Sequence, residues 1–154
     1  MTMTLREITR ENWEQCVRLT VGPEQERFVA SNAVSLAQSK YEPEWIPLAV
    51  YDDDEMVGFV MYGVYRDDGK YWILRVMVDR SFQGKGYGRA TMRLLLERLR
   101  AIPGCDKVAI SYEPENDTAR RLYANFGFRE TDEVIEGETV ARLSFDAASN
   151  LSPG

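Results

Sequence analysis

Six consecutive residues, Gln83-Gly84-Lys85-Gly86-Tyr87-Gly88, place three glycines around a lysine, and Arg89 follows them. Glycine lets a backbone turn sharply and approach a bound group, because no Cβ stands in the way. Ahead of the loop lies the apolar run from about Tyr71 to Val78. Behind it Met92, Leu95, Leu96 and Leu99 recur at the i, i+3, i+4, i+7 spacing of one buried helical face. The stretch therefore reads as strand, loop and helix. Backbone N–H groups at a helix N-terminus lack internal partners, and the helix dipole adds partial positive charge. Four basic residues (Arg80, Lys85, Arg89, Arg93) and no acid lie between Arg80 and Leu96, in a chain of net charge −6. The chemistry open to this stretch is anion binding, and a pyrophosphate is the expected guest.

The elements around the loop follow from period and punctuation. Residues 3–8 read as a strand, and Thr9 can cap a helix over about 10–20. Gly22-Pro23 breaks that helix, and a second is expected from about Glu24 to Lys40, with Val29, Ala33, Leu36 and Ala37 at helical spacing. Leu48 to Tyr51, Met56 to Tyr65 and Tyr71 to Val78 are strands joined by tight polar turns, an antiparallel meander. Pro103-Gly104 ends the helix behind the glycine loop. Lys107 to Tyr112 is the next strand, reached by a strand–helix–strand crossover and so parallel to Tyr71–Val78. A helix from about Asn116 to Phe126 ends at Gly127. A hairpin of Phe128 to Val134 and Thr139 to Phe145 turns at Glu136-Gly137. The order β-α-α-β-β-β-α-β-α-β-β describes an α/β domain with a mixed sheet. Residues 1–145 are expected to form one domain, with 146–154 a frayed tail.

The whole chain narrows the function classes. It has 154 residues, 44% hydrophobic and 29% charged, the make-up of an ordinary soluble domain. No run approaches a membrane span, and the start lacks the apolar segment of a signal peptide, so no membrane partner and a cytoplasmic location are expected. The pI of about 4.8 argues against general nucleic-acid binding and permits a cationic substrate, although acidity for solubility alone is the commoner cause. There is no histidine, which removes Ser-His-Asp and Cys-His schemes and most zinc sites. Cys16 and Cys105 show no metal spacing, so no metal is expected, and Cys16 beside Trp13 and Val17 reads as a buried thiol.

Three anion-loop patterns compete for Gln83–Gly88. A P-loop, GxxxxGK[ST], is absent. A Rossmann GxGxxG fits Gly84 and Gly86, but its third glycine position is Arg89, and Ala109 and Ile110 stand where a following strand would carry an acid. The third pattern, [RQ]-x-x-G-x-[GA], is the acyl-CoA loop of the GNAT N-acetyltransferases, and here it reads without departure. Downstream, Asn116-Asp117-Thr118-Ala119-Arg120-Arg121-Leu122-Tyr123 with Phe126-Gly127-Phe128 is that family's N-x-x-A-x-x-L-Y…GF signature. From Met3 to Phe145 the chain thus resembles the GNAT superfamily. The segments FVASNAVSLAQ (28–38), PLAVYDDDEMVGFVMYG (47–63) and YWILRVMVDRSFQGKGYG (71–88) are similar to bacterial spermine/spermidine (diamine) acetyltransferases.

The resemblance implies a mostly antiparallel mixed sheet of about six or seven strands with about four helices, in which the parallel pair splays apart. Acetyl-CoA would be the co-substrate. Its pantetheine arm would lie along Val76, Met77 and Val78. Its pyrophosphate would meet Gln83, Gly84, Lys85, Gly86, Tyr87, Gly88 and Arg89, Asn116 would hydrogen-bond its pantetheine region, and Tyr123 would also contact the cofactor. Tyr123 would be the acid that protonates the leaving sulfur; Ala119, Leu122, Tyr123 and Phe126 also make one apolar face, so a core role competes. Asn116 reads equally as a helix cap. An aliphatic ammonium has a pKa of about 10, so a base is needed. Many relatives carry a glutamate on the loop strand, whereas Tyr71 to Val78 has no carboxylate. Glu113, or Glu115, acting through water is the substitute, against the commoner reading of solvated loop acids.

Tyr41, Glu42, Glu44 and Trp45 border the region where the family binds its acceptor, and could hold separated ammonium groups. Asp52 to Asp54 read as a solvated turn. The expected activity is acetyl transfer from acetyl-CoA to a primary amine of a spermidine- or spermine-type polyamine. The alternatives are another amine acceptor (amino acid, aminoglycoside, protein N-terminus) and a non-catalytic acyl-CoA-binding module. The sequence leaves a monomer and a homodimer both open.

Overall fold

A computed structural model describes residues 1–145. Its elements are β1 (Met3–Glu7), α1 (Trp13–Arg18), α2 (Asn32–Tyr41), β2 (Trp45–Asp52), β3 (Glu55–Val64), β4 (Tyr71–Val78), α3 (Tyr87–Arg100), β5 (Lys107–Tyr112), α4 (Asp117–Asn125), β6 (Arg129–Ile135) and β7 (Glu138–Ser144). The strands form one seven-stranded sheet in the order β1-β2-β3-β4-β5-β7-β6. Only β4 and β5 run parallel. The α/β class, the mixed sheet, the four helices and the parallel pair are as the sequence predicts. The tail expected at 146–154 lies outside the described residues.

Two apolar layers cover the sheet. On one face Met92, Leu95, Leu96 and Leu99 of α3 and Tyr123 of α4 pack with Val60, Ile73, Val108, Ile110 and Tyr112. On the other, Cys16 of α1 and Leu36 of α2 pack with Phe59, Trp72, Met77, Ala109 and Val140. The period-3.6 stripe of α3 is thus the buried one, and each such side chain stabilises the fold by roughly 1.5–3 kcal/mol. Cys16 is fully buried, and burial pushes its thiol up to about 11. No helix among the described residues is long and apolar enough to cross a membrane.

The second helix differs from expectation. Pro23–Phe28 is a separate 3-10 turn, Val29 is extended, and Ser31 restarts the chain as the N-cap of α2, its Oγ accepting from Val34 N at 3.2 Å. A serine in the extended region offers the helix a better start than an uncapped run through a β-branched valine. The first helix is likewise shorter than expected. Thr9 and Asn12 bond each other's backbone turn, Thr9 N to Asn12 Oδ1 at 2.7 Å and Glu11 N to Thr9 Oγ1 at 3.2 Å, which holds residues 9–12 as a turn before α1.

The β3–β4 pairing carries a bulge. Met61 pairs with Arg75 and Tyr62 with Ile73, so Leu74 is the extra residue. Gly58 of β3 faces the far end of β4. A Cβ there would meet the Met77 carbonyl oxygen at 2.5 Å, and backbone cannot step aside cheaply. Gly58→Ala is expected to destabilise the protein by about 1–3 kcal/mol, read as a lower urea midpoint at unchanged m-value.

Candidate active site

The strand pair β4–β5 is joined only at Trp72–Ala109 and Ile73–Ile110. Beyond Ile73 the strands part, so the edge of β4 from Leu74 to Val78 has no strand neighbour on that side. A cavity of about 960 Å³ opens from this fork. The free edge is partly tied by side chains: Arg75 Nη1 donates to Leu74 O at 2.9 Å, and Gln83 Nε2 donates to Val78 O at 3.0 Å and to Gln25 Oε1 at 3.2 Å.

The glycine loop stands at one end of the cavity. Gly84 (φ +77°) and Gly86 (φ +88°) both lie in the left-handed region, and Gly86 is the N-cap of α3. The first intrahelical bond is Ala90 N to Gly86 O, so the N–H groups of Tyr87, Gly88 and Arg89 have no partner within the helix. Gln83, Gly84 and Gly88 line the cavity. Tyr87 turns its side chain away: its hydroxyl donates to Asp52 Oδ2 at 2.6 Å, and its ring meets Phe82 edge-on at 5.8 Å. That bond holds the Asp52 carboxyl below its usual range and raises the Tyr87 hydroxyl. Lys85 lies 5.9 Å from the centre of the Phe82 ring, and Lys85 and Arg89 are exposed outside the cavity lining.

Val76, Met77 and Val78 line the fork on the β4 side, and Asn116 and Tyr123 line it from α4. Asn116 caps the helix, its Oδ1 accepting from Ala119 N at 3.2 Å. Tyr123 is 9% exposed, with ring centres at 5.7 Å from Tyr112 and 5.9 Å from Phe128. Burial, followed by the charges at Tyr112 and Glu138, raises its pKa above the ordinary tyrosine range. Burial chiefly pushes Tyr112 up to about 12 as well. A phenol in that setting stays protonated and can donate.

The other end of the cavity is lined by residues the sequence reading joined only in part. Glu42 and Trp45 are there, with Trp45 Nε1 donating to Glu42 Oε1 at 3.2 Å. Tyr41, 83% exposed, is outside it. Glu44 is outside too and pairs with Arg66 at 3.9 Å. Glu113 and Glu115 do not line the cavity. In their place stand Arg75, Ser111, Glu136, Glu138 and the row Trp45–Tyr65–Trp72, whose adjacent ring centres are each 6.1 Å apart. Arg75 was visible as one charge in the apolar run of β4. Leu74 packs on the cluster that includes Trp72 and Met77, whereas Ile73 and Val76 pack on the opposite one. By alternation back from Met77, Arg75 faces the side that Leu74 does, which the bulge allows, and its Nη2 meets Gln38 Oε1 of α2 at 3.4 Å. Burial lowers its pKa.

A forked parallel pair, a left-handed glycine cap and a buried phenol beside the fork define an acyl-CoA fold. Residues 4–128 match the family described as Acetyltransferase (GNAT) family, and the chain belongs to that family. It is an acetyl-CoA-dependent N-acetyltransferase. The spermine/spermidine N(1)-acetyltransferase of Bacillus subtilis (strain 168) is 29% identical over 147 residues, covering 91% of this chain and 97% of that protein. Among solved structures, the spermidine N-acetyltransferase from Vibrio cholerae in complex with CoA and spermine superposes with a TM-score of 0.72 at 19% identity, over 92% of this chain and 93% of that one. A domain from Methanocaldococcus jannaschii gives 0.74 at 18% identity, over 93% and 98%.

The residues present fit the co-substrate. The free β4 edge can take an added extended arm, and the α3 N-terminus can take phosphate. A Cβ on Gly88 would come no closer than 3.9 Å to Leu122, so the wall there stands back by the width of a ligand contact. Acetyl-CoA supplies the activated acetyl group.

Proposed function

We propose that this enzyme acetylates a primary amine of a spermidine- or spermine-type polyamine, within one catalytic domain over residues 1–145 and in the cytoplasm. The observation that carries the reading is the lining of the cavity end away from the glycine loop. Glu42, Glu136 and Glu138 put three carboxylates against one guanidinium, Arg75, beside the rings of Trp45, Tyr65 and Trp72. Carboxylates and aromatic faces together hold ammonium groups spaced along an apolar chain. The likeness to the Bacillus subtilis enzyme points to the same substrate class.

In this reading the backbone of Val76 to Val78 aligns the acyl arm. The loop from Gln83 to Arg89 holds the pyrophosphate, with Lys85 and Arg89 adding charge from outside. Asn116 orients the arm through Nδ2, and Tyr123 gives a proton to the departing sulfur. Glu42 and Trp45 form the acceptor wall.

Arg75 favours a second reading, an acceptor that carries its own carboxylate, such as an amino acid. CoA release measured over spermidine, spermine, putrescine, amino acids and an N-terminal peptide separates the two. Spermidine and spermine are expected to exceed amino acids in kcat/KM by about 10²-fold or more, equivalent to roughly 3 kcal/mol of differential binding. Preference for an amino acid would replace the polyamine reading. Acetyl-CoA binding without turnover of any amine would leave a binding module.

A further inference from the structure

The polyamine reading, on which this inference rests, needs a group to take the proton of the acceptor ammonium, and β4 has no carboxylate to offer. Of the three carboxylates in the cavity, two are poorly placed. Glu42 is the C-cap of α2, outside the forked strands, where its Oε1 accepts from Gln38 Nε2 and Trp45 Nε1, both at 3.2 Å. Glu136 sits in the hairpin turn with φ +50°. The third, Glu138, opens β7 and is seated by a strand.

Its position follows from register. β7 pairs with β5 as far as Thr139–Tyr112, and Glu138 is the next residue. Its Oε1 accepts from Ser111 Oγ at 2.7 Å, which leaves Oε2 for a guest. Ser111 directly follows Ile110, the last β5 residue paired with β4, so the carboxylate is fastened at the fork. Alternation along β7 sets Glu138 on the face of Val140, the α1/α2 side. Tyr123 belongs to the α3/α4 side. The two groups therefore flank the fork from opposite faces of the sheet. That is the arrangement acyl transfer needs, with proton removal from the entering nitrogen on one side and proton delivery to the leaving sulfur on the other. The charged and titratable groups around it are Arg75 from β4 and Tyr123 from α4, with Glu136 from the turn and Glu42 from the end of α2 in the same cavity lining. The charge of Glu138 acts on both Arg75 and Tyr123.

We propose that Glu138 is the catalytic base of this enzyme, reaching the acceptor nitrogen from β7. The ammonium passes one proton to Glu138 and becomes a neutral amine. Its lone pair forms the N–C bond to the acetyl carbon, and the C–S bond breaks with its electron pair leaving on sulfur. Sulfur takes a proton from Tyr123, the second proton shed by nitrogen restores the Tyr123 phenol through water, and Glu138 gives its proton to solvent. Two protons leave nitrogen and one reaches sulfur, so each turnover releases one proton to solvent.

The test measures CoA release by wild type, Glu138→Gln, Ser111→Ala and the control Glu133→Gln, whose carboxylate pairs with Arg142 away from the cavity. Spermidine and the monoamine benzylamine serve as acceptors, from about pH 6 to about pH 10. Glu138→Gln is expected to lower kcat about 10²-fold near neutrality. The loss should shrink as pH approaches the amine pKa, because the amine then deprotonates unaided. The KM for acetyl-CoA should not move, and Glu133→Gln should match wild type. A loss equal at every pH would make Glu138 a counter-ion of Arg75 or a substrate contact and overturn the proposal, as would a wild-type profile. Should Glu138→Gln melt early, Ser111→Ala decides, since it keeps the charge but frees the carboxylate. A kcat about tenfold lower at unchanged KM for acetyl-CoA supports the base, and an unchanged kcat overturns it. Turnover of benzylamine without spermidine ends the polyamine reading while Glu138 is judged on benzylamine. Turnover of neither ends both.

Discussion

Tyr123→Phe is expected to lower kcat by about 10²–10⁴-fold, with the KM for acetyl-CoA changed by less than about threefold. The ring of Tyr123 is held between Tyr112 and Phe128, and phenylalanine keeps that packing, so the thermal midpoint should barely move. The substitution removes only the O–H at the cavity wall. Burial holds the Tyr123 hydroxyl above its ordinary pKa. The sign matters: a raised pKa keeps the group protonated through the range in which an acceptor amine titrates, so no decline in rate below about pH 10 should come from Tyr123. A raised pKa also makes a weaker acid. The compensation is that a thiolate leaving in the same desolvated place gains basicity for the same reason. Steady-state kinetics on the variant, with melting followed in parallel, decide the matter. Full turnover would leave Tyr123 as a core residue alone.

Gly88→Asp is expected to weaken CoA binding by about 10²–10³-fold without lowering the melting temperature. The nearest atom to a Cβ at this position is Leu122 Cδ2 at 3.9 Å, so the fold has room for a side chain. An acid in the first turn of α3 even favours the helix, by about 0.3–1 kcal/mol. Near a bound pyrophosphate the same charge is repelled. Two unit charges 4 Å apart at an effective dielectric of 20 interact by about 4 kcal/mol, roughly a factor of 10³ in affinity. Stability and affinity thus move in opposite senses, which separates a damaged fold from a blocked site. Calorimetric titration with CoA measures the affinity, and unchanged binding would mean that the pyrophosphate does not meet the start of α3.

The element order was legible because each element carries its own local signal. The α3 stripe of Met92, Leu95, Leu96 and Leu99, the turn glycines and the crossover length are all read within a few residues of one another, and they lead to the sheet that forms. The break between Phe28 and Asn32 had a local signal as well, Ser31-Asn32, which helical spacing across it masked. The hairpin at Glu136-Gly137 was legible, but its strand begins at Glu138 rather than Thr139. That residue is the one whose side chain meets Ser111.

The candidate site divides along the same line. Gln83 to Arg89 and Asn116 to Tyr123 are contiguous motifs, in which spacing along the chain sets spacing in the molecule: the loop must feed α3, and Asn116 must cap α4. Composition excluded histidine chemistry before any fold was known. The cavity end away from the loop has no such grammar. Glu42, Tyr65, Arg75, Ser111 and Glu138 come from five separate segments, and a glutamate beside a turn reads as solvated until its register is known. Arg75 faces α2 because a bulge at Leu74 resets the alternation of β4. Glu138 reaches the fork because β7 inserts between β5 and β6. Local sequence carries the glycine loop proposed to hold the co-substrate, since a glycine-rich helix start needs only its neighbours. The carboxylates and rings of the proposed acceptor end depend on long-range strand pairing, which no stretch of the chain encodes alone.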